Sequence, residues 1–303
     1  MTDIEPLNVS REDFPKSLAS ADGMKAIDPP CDYYEITYEY DVPYVVRDGG
    51  ALYLQIIKPI APSNRTPLII FIPGSAFRQQ NVKSRVPQLG LLAARGYTVA
   101  LLEYRGSQLE PFPGFVLDAK AGIKFMKKHS REYNIDPEKV FLMGDSSGGY
   151  TALMAGLTCG VADLEDDELK GFDYSVKGVI DHYGPTDITT MNDEPSIQDH
   201  RVPGSPEGEM LGGINVLENL GLAQKTIVKN YISENRFAPP VLIFHGSNDE
   251  LVPFGQSCRL YEALKSGNKT AELYRVEGAH HGDRRFWSKY VIDLTAEFID
   301  KNC

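Results

Sequence analysis

The chain has 303 residues, 42% hydrophobic and 24% charged, an ordinary globular composition long enough to bury a core without disulfide or metal staples. Lys and Arg number 31 against 42 Asp and Glu, for a net charge of −11. Phosphate binding needs a basic face, so this balance argues against nucleic acid and disfavours polyanionic substrates, while neutral substrates stay open.

The chain begins with a polar stretch ending in "DPP", read as a surface arm over residues 1–32. "YYEITYEY" and "ALYLQIIKP" read as strands joined by a turn at "RDGG". "PLIIFIPG" is almost wholly apolar and rich in β-branched residues, as a strand buried on both faces must be. "VPQLGLLAARG" follows as a helix capped by Gly96, and "YTVALLEY" as another buried strand. The pattern continues with the helix "FVLDAKAGIKFMKKH", the strand "KVFLMG", the small-residue helix "SGGYTALMAGLT" and the strand "VKGVIDHYG". After a gap come the strand "PPVLIFHG", the helix "GQSCRLYEALKSG", the strand "AELYRV" and a closing amphipathic helix "RRFWSKYVIDLTAEFID".

Strand and helix alternate from Pro67 onward. This predicts one α/β domain over residues 33–303, with a mostly parallel sheet of about eight strands, helices on both faces and an antiparallel edge. One segment breaks the alternation. Residues 186–238, containing "MNDEPSIQDHRVPGSPEGEMLGG", are too long for a plain connection and read as a partly helical lid over one end of the sheet.

Gly144-Asp145-Ser146-Ser147-Gly148 satisfies G-x-S-x-G between a buried strand and a helix. A strand that turns at once into a helix brings backbone segments close, so the flanking positions need glycine, and the turn lifts the Ser146 hydroxyl above the sheet. Ser147 lacks glycines at both flanking positions and is the weaker nucleophile candidate. A serine hydroxyl needs a base, and the base an orienting carboxylate. Asp249, in the turn after "PPVLIFHG", is the candidate acid, with Asp181, Asp187 and Glu250 as competitors. The loop after "AELYRV" carries His280 and His281; Gly282 lets the backbone approach the nucleophile and favours His281. His129, His182, His200 and His245 read as scaffold residues, and no histidine has metal-ligand spacing to another His, Cys or carboxylate. The turn "IPGSAFRQQN" leaves the first buried strand of the alternating series, where the second oxyanion segment of this architecture belongs; Ser75, Ala76 and Ser147 are the expected N–H donors.

With these residues in hand, the chain from about Tyr33 to its end resembles the α/β-hydrolase superfamily. Within it the chain is similar to the esterase group related to hormone-sensitive lipase, and more closely to bacterial acetyl-xylan and feruloyl carbohydrate esterases. The residues that carry the likeness are "GDSSGG", Tyr104-Arg105, "PFPGFVLDAKAGIKF", "HGSNDELVP" and "GAHHG". The resemblance implies a nucleophile, acid and base at Ser146, Asp249 and His281. The family's His-Gly-Gly oxyanion turn is replaced here by Pro73-Gly74-Ser75-Ala76, and "SPEGEMLGG" resembles the lid of sugar-acetyl esterases.

The expected activity is a serine carboxylesterase that cleaves short acetyl-type esters on a carbohydrate such as an acetylated xylo-oligosaccharide, with no cofactor and no metal. The alternatives are a feruloyl esterase, an amide hydrolase such as an arylformamidase, and a non-catalytic binding protein that keeps the fold. Cys31, Cys159, Cys258 and Cys303 form no CxxC pair, "MTDIEPLNVSRED" has no apolar leader core, and no apolar run reaches membrane-spanning length. A cytoplasmic protein without a membrane partner is expected; a homo-oligomer stays open.

Overall fold

The computed structural model describes residues 5–233 and 236–303. The chain divides into two units, Met1–Asp32 and Tyr33–Cys303. In the first, the described residues form no helix or strand, and their backbone hydrogen bonds close local turns, such as Phe14 N–H to Arg11 O and Met24 N–H to Ala21 O. The first four residues of the expected arm, and residues 234–235 of the expected insertion, lie outside the described residues.

The second unit is built on one sheet. Its strands are β1 (Ile36–Arg47), β2 (Gly50–Pro59), β3 (Thr66–Ile72), β4 (Thr98–Leu102), β5 (Ile135–Asp145), β6 (Gly178–His182), β7 (Val241–Gly246) and β8 (Ala271–Val276). They lie in the order β1-β2-β4-β3-β5-β6-β7-β8. β1 and β2 form the antiparallel edge, β2 is antiparallel to β4, and every further pairing is parallel. The helices are α1 (Val86–Ala93), α2 (Gly114–Lys128), α3 (Ser147–Leu157), α4 (Pro206–Met210), α5 (Leu220–Thr226), α6 (Gly255–Ser266) and α7 (Lys289–Asn302).

The two-residue period of a strand explains why the central strands are apolar throughout. Along β3, Leu68, Ile70 and Ile72 enter one core with residues of α2 and α3, while Ile69 and Phe71 enter a second with residues of α1 and α7. All five β3 side chains are inaccessible to water. Parallel pairing also puts the carboxyl ends of β3, β5, β7 and β8 on one edge of the sheet, where the turns carrying the candidate residues emerge.

The helix α1 ends at Ala93 with Ala94, not Gly96, at its C-cap, β4 and β6 are each shorter than expected, and three boundaries differ most from the sequence reading. β1 continues past Tyr40 to Arg47, with register shifts between Glu39 and Val42 and between Pro43 and Val45. An edge strand tolerates Pro43 because its missing N–H has no inner partner to serve. β5 starts at Ile135, four residues before the expected Lys139. The closing helix starts later: Arg284–Trp287 is a 3-10 turn, and Ser288 caps α7 by accepting the Val291 N–H. The segment after β6 holds α4, α5 and two 3-10 turns, Ile188–Asp193 and Val228–Tyr231, so it is partly helical as expected. Among the described residues no helix is long and apolar enough to cross a membrane.

Candidate active site

Ser146 sits between β5 and α3 with φ 53° and ψ −126°, a region that non-glycine residues adopt only when their surroundings force it. The surroundings do so. A Cβ on Gly148 would stand 1.9 Å from Ile72 O, and one on Gly144 would stand 2.3 Å from Gly148 O. The backbone is also pinned, with Ser146 N–H donating to His182 O at 2.8 Å and Ser146 O accepting from Tyr150 N–H at 3.1 Å.

The structure brings Ser146, His281 and Asp249 into one chain of contacts. His281 Nε2 lies 2.9 Å from Ser146 Oγ, and His281 Nδ1 lies 2.8 Å from Asp249 Oδ2. These two contacts put a proton on Nδ1 and leave Nε2 to accept from the serine. The ring packs edge-on against Tyr183, centroids 4.8 Å apart. Of the two neighbouring histidines, His280 turns outward and pairs with Glu250 at 3.0 Å. Glu250 therefore holds the exposed histidine and does not compete for His281's ring.

Asp249 is held from both sides. Its Oδ1 accepts the N–H groups of Leu251 and Val252 at 3.0 and 2.9 Å. Its Oδ2 meets His281 and, at 3.3 Å, Nε2 of the fully buried His245. Burial pushes this carboxyl up, but the hydrogen bonds and charges of His245 and His281 overcome it and hold the acid well below its ordinary range. His245 is itself fixed: Nε2 lies 2.8 Å from Val252 O and Nδ1 lies 2.7 Å from Ser257 Oγ. The other acids have separate partners. Asp181 accepts from Gly184 N–H, and burial pushes its carboxyl up to about 7. Asp187 caps a 3-10 turn and pairs with Lys229 at 3.1 Å.

The turn after β3 crosses directly over the elbow. Gly74 N–H donates to Asp145 Oδ1 at 2.6 Å, and Arg85 reaches Asp145 Oδ2 at 3.2 Å. A Cβ on Gly74 would lie 2.5 Å from Asp145 O, so the approach requires glycine. The expected donor set needs one correction. Ser75 N–H donates to Ser147 Oγ at 2.9 Å, which spends it on the elbow and turns it from the cavity. Ala76 and Ser147, by contrast, line the cavity at Ser146, and their N–H groups have no acceptor among the described residues. Ala76 and Phe77 both have positive φ, 54° and 60°. Tyr104 braces this turn, its hydroxyl donating to Pro73 O at 2.9 Å and lying 3.0 Å from Ser75 Oγ.

The cavity at Ser146 is small, about 60 Å³, and is bounded by Ala76 and Phe77, by Leu251 and Val252 of the acid loop, and by insertion residues including Gln198, His200 and Glu207. Sequence reasoning passes over Asp145 and Glu207 and reads His245 and His200 as scaffold. Asp145 had the plainest signal, a carboxylate beside the nucleophile. His245 stands four residues before Asp249 at a strand end, which reads equally as core. Tyr104-Arg105 and Asp118 have a scaffold role: Arg105 and Arg47 both clamp the buried Asp118, at 2.9 Å each. Among the described residues no group of three or more His, Cys, Asp or Glu side chains is arranged to hold a metal ion, and all four cysteines are free.

The fold and sequence have clear relatives. The chain is 25% identical to Esterase LipQ of Mycobacterium tuberculosis over 267 residues, which cover 86% of this chain and 61% of LipQ. The chain spans between about half and three fifths of the length of the curated relatives it matches. Among solved structures, a truncated carbohydrate esterase from gut microbiota aligns with a TM-score of 0.74 at 26% identity, covering 90% of this chain and 98% of its own. The esterase Est2 of Thermogutta terrifontis with propionate bound aligns with a TM-score of 0.69 at 25% identity, covering 90% of this chain and 96% of its own. The BD-FAE family model matches residues 54–264, from β2 through most of α6. That match takes in the strand–serine–helix elbow and the acid turn and extends over well over half of the sequence, so the chain, an α/β-hydrolase in fold, belongs to the BD-FAE family.

Proposed function

We propose that this protein is a serine carboxylesterase that removes short, acetyl-type acyl groups from a hydroxylated, carbohydrate-like alcohol. The observation that carries the reading is the unbroken relay from Asp249 through His281 to Ser146, with contacts of 2.8 and 2.9 Å, at a serine held in a strained elbow. In this reading His281 takes the Ser146 proton as Oγ attacks the ester carbonyl. The N–H groups of Ala76 and Ser147 receive the developing oxyanion, and Ser147 adds the positive end of α3. His281 returns the proton to the leaving alcohol. Water, deprotonated by His281, then cleaves the acyl-enzyme, and Asp249 keeps the imidazole in the working tautomer throughout.

Cavity size supports a short acyl group. The space directly at Ser146 is narrow, about 60 Å³ between Ala76, Phe77, Leu251 and Val252, and favours a small acyl group over a long chain. The propionate bound to the similar Est2, and the similarity to a carbohydrate esterase from gut microbiota, point the same way. The test is a substrate panel on wild type and Ser146→Ala, comparing acetylated xylan, feruloyl esters, formylkynurenine and nitrophenyl esters of rising chain length. Acetyl esters are expected to be turned over best, with nearly all activity gone in the variant. Wild-type turnover in Ser146→Ala, a profile peaking at eight carbons or more, or preference for formylkynurenine overturns the proposal.

A further inference from the structure

The insertion places a carboxylate against the cavity that the relay does not use. Glu207 lies on α4 and is 3% exposed, yet it borders the same cavity as Ser146. Its Oε2 sits 2.9 Å from Nδ1 of His200, which is 2% exposed. The other ring nitrogen of His200 is fixed on the acid loop, 2.9 Å from Leu251 O and 3.0 Å from Ser196 Oγ. Glu207 Oε1 accepts no hydrogen bond from the described residues and, unlike the enclosed Oε2, keeps access to the cavity. Nor does the side chain of Gln198, half-buried on the same cavity wall, form a hydrogen bond with them.

A carboxylate oxygen that no protein donor engages and that opens onto the cavity is free to accept a hydrogen bond from a group entering it. The position of Glu207 is set with care. Gly208 has no room for a side chain, because a Cβ there would lie 2.3 Å from Val202 O. Glu209, on the same helix, is bound in a fork by Arg78 at 2.8 and 2.9 Å, which ties α4 to the oxyanion turn. Thus α4 is clamped at the acid loop through His200 and at the oxyanion turn through Arg78, with Glu207 between them. Burial lowers the His200 imidazole, but its contact with Glu207 outweighs this and raises it, so a basic ring stands behind the carboxylate and a neutral donor suits the site better than a cation.

We infer that Glu207, with Gln198 beside it, is a hydroxyl-binding subsite that selects esters whose alcohol carries a free hydroxyl next to the scissile bond. This assignment rests on the esterase reading and narrows its substrate to partly acylated polyols and sugars. A hydrogen bond from such a hydroxyl to the carboxylate is made as the ester seats against Ser146. A substrate lacking the hydroxyl leaves Glu207 Oε1 desolvated and unpaired.

The test is a cycle of substrates and variants. A monoacetylated methyl xyloside is compared with its deoxy counterpart lacking the hydroxyl beside the ester, on wild type, Glu207→Leu and Glu207→Gln, with a thermal melt of each. Wild type is expected to prefer the hydroxylated ester in kcat/KM by on the order of 10- to 100-fold, as a hydrogen bond to a charged group implies. The preference should fall to within about 3-fold in Glu207→Leu and return in part in Glu207→Gln, which restores an acceptor oxygen. The wild-type comparison stands even if the leucine variant fails to fold, and Gln198→Leu then serves as the second variant, with a reduced preference. Equal kcat/KM for the two esters on wild type, or an undiminished preference in folded Glu207→Leu, overturns the assignment and leaves the esterase reading intact. Failure of wild type to hydrolyse either ester or any nitrophenyl ester overturns the esterase reading, and this assignment with it.

Discussion

Replacing Asp249 by Asn changes one atom and reverses the polarity of the relay. The carboxamide has a single favourable orientation. The Leu251 and Val252 N–H groups, 3.0 and 2.9 Å from Oδ1, demand an acceptor there, so the amide oxygen takes that place and the NH₂ takes the place of Oδ2. That NH₂ then faces His281 Nδ1 at 2.8 Å. Two donors cannot share the contact, so His281 must move its proton to Nε2. The nitrogen 2.9 Å from Ser146 Oγ is then a donor and no longer a base. The same exchange in a serine-protease triad costs about 10⁴ in kcat, or roughly 5.5 kcal/mol of barrier. A loss of that order is expected here for p-nitrophenyl acetate near neutral pH, together with slow labelling of Ser146 by a fluorophosphonate. Stability should fall far less, by about 1–3 kcal/mol, because His245 keeps Val252 O as a partner at 2.8 Å. Retention of more than about a tenth of wild-type kcat in a folded Asp249→Asn protein would refute the tautomer argument, since a wrong tautomer admits no such residual rate.

Two further outcomes follow from the scaffold beneath the elbow. Gly148→Ala pushes a Cβ to within 1.9 Å of a backbone oxygen, which no side-chain rotation relieves; a cost of about 3 kcal/mol or more and a melting temperature lower by on the order of 10 °C are expected by calorimetry, and an unchanged melt would contradict the packing described. Asp181 titrates near 7 when folded, against an ordinary value of 3.8, so the unfolded chain sheds this proton first and the group's contribution to stability declines as pH rises from about 4 to 7. Asp181→Asn removes that loss, so its melting temperature should gain on wild type between pH 4 and pH 8 and level off above; a gap that stays flat across this range would show that the buried carboxyl does not hold its proton.

The parts of the site legible in the sequence are those whose local chemistry is self-contained. The elbow is one: glycines at 144 and 148 have no other economical use at a strand–helix turn, and the added Cβ contacts show why. Asp249 and His281 are another, because parallel pairing sends the ends of β7 and β8 to the edge where β5 delivers Ser146, so chain order alone brings them near. Between His280 and His281 the following Gly282 gives a local preference for His281, but the partner that holds His280 outward, Glu250, lies 30 residues away and no local pattern announces it. The donor error at Ser75 has the same origin. The sequence displays a run of small residues but not the hydroxyl of Ser147, 72 positions away, that intercepts one N–H. His245 and Glu207 were hidden for the converse reason: each looks like scaffold because its partners come from elsewhere, Asp249 in one case and His200 with the cavity wall in the other. Local covalent and steric demands thus specify where the reacting hydroxyl stands. The hydrogen-bond accounting of the assembled edge specifies which groups around it are spent and which are left to meet a substrate, and by that accounting the Ser75 N–H is spent while the N–H groups of Ala76 and Ser147 and Oε1 of Glu207 remain.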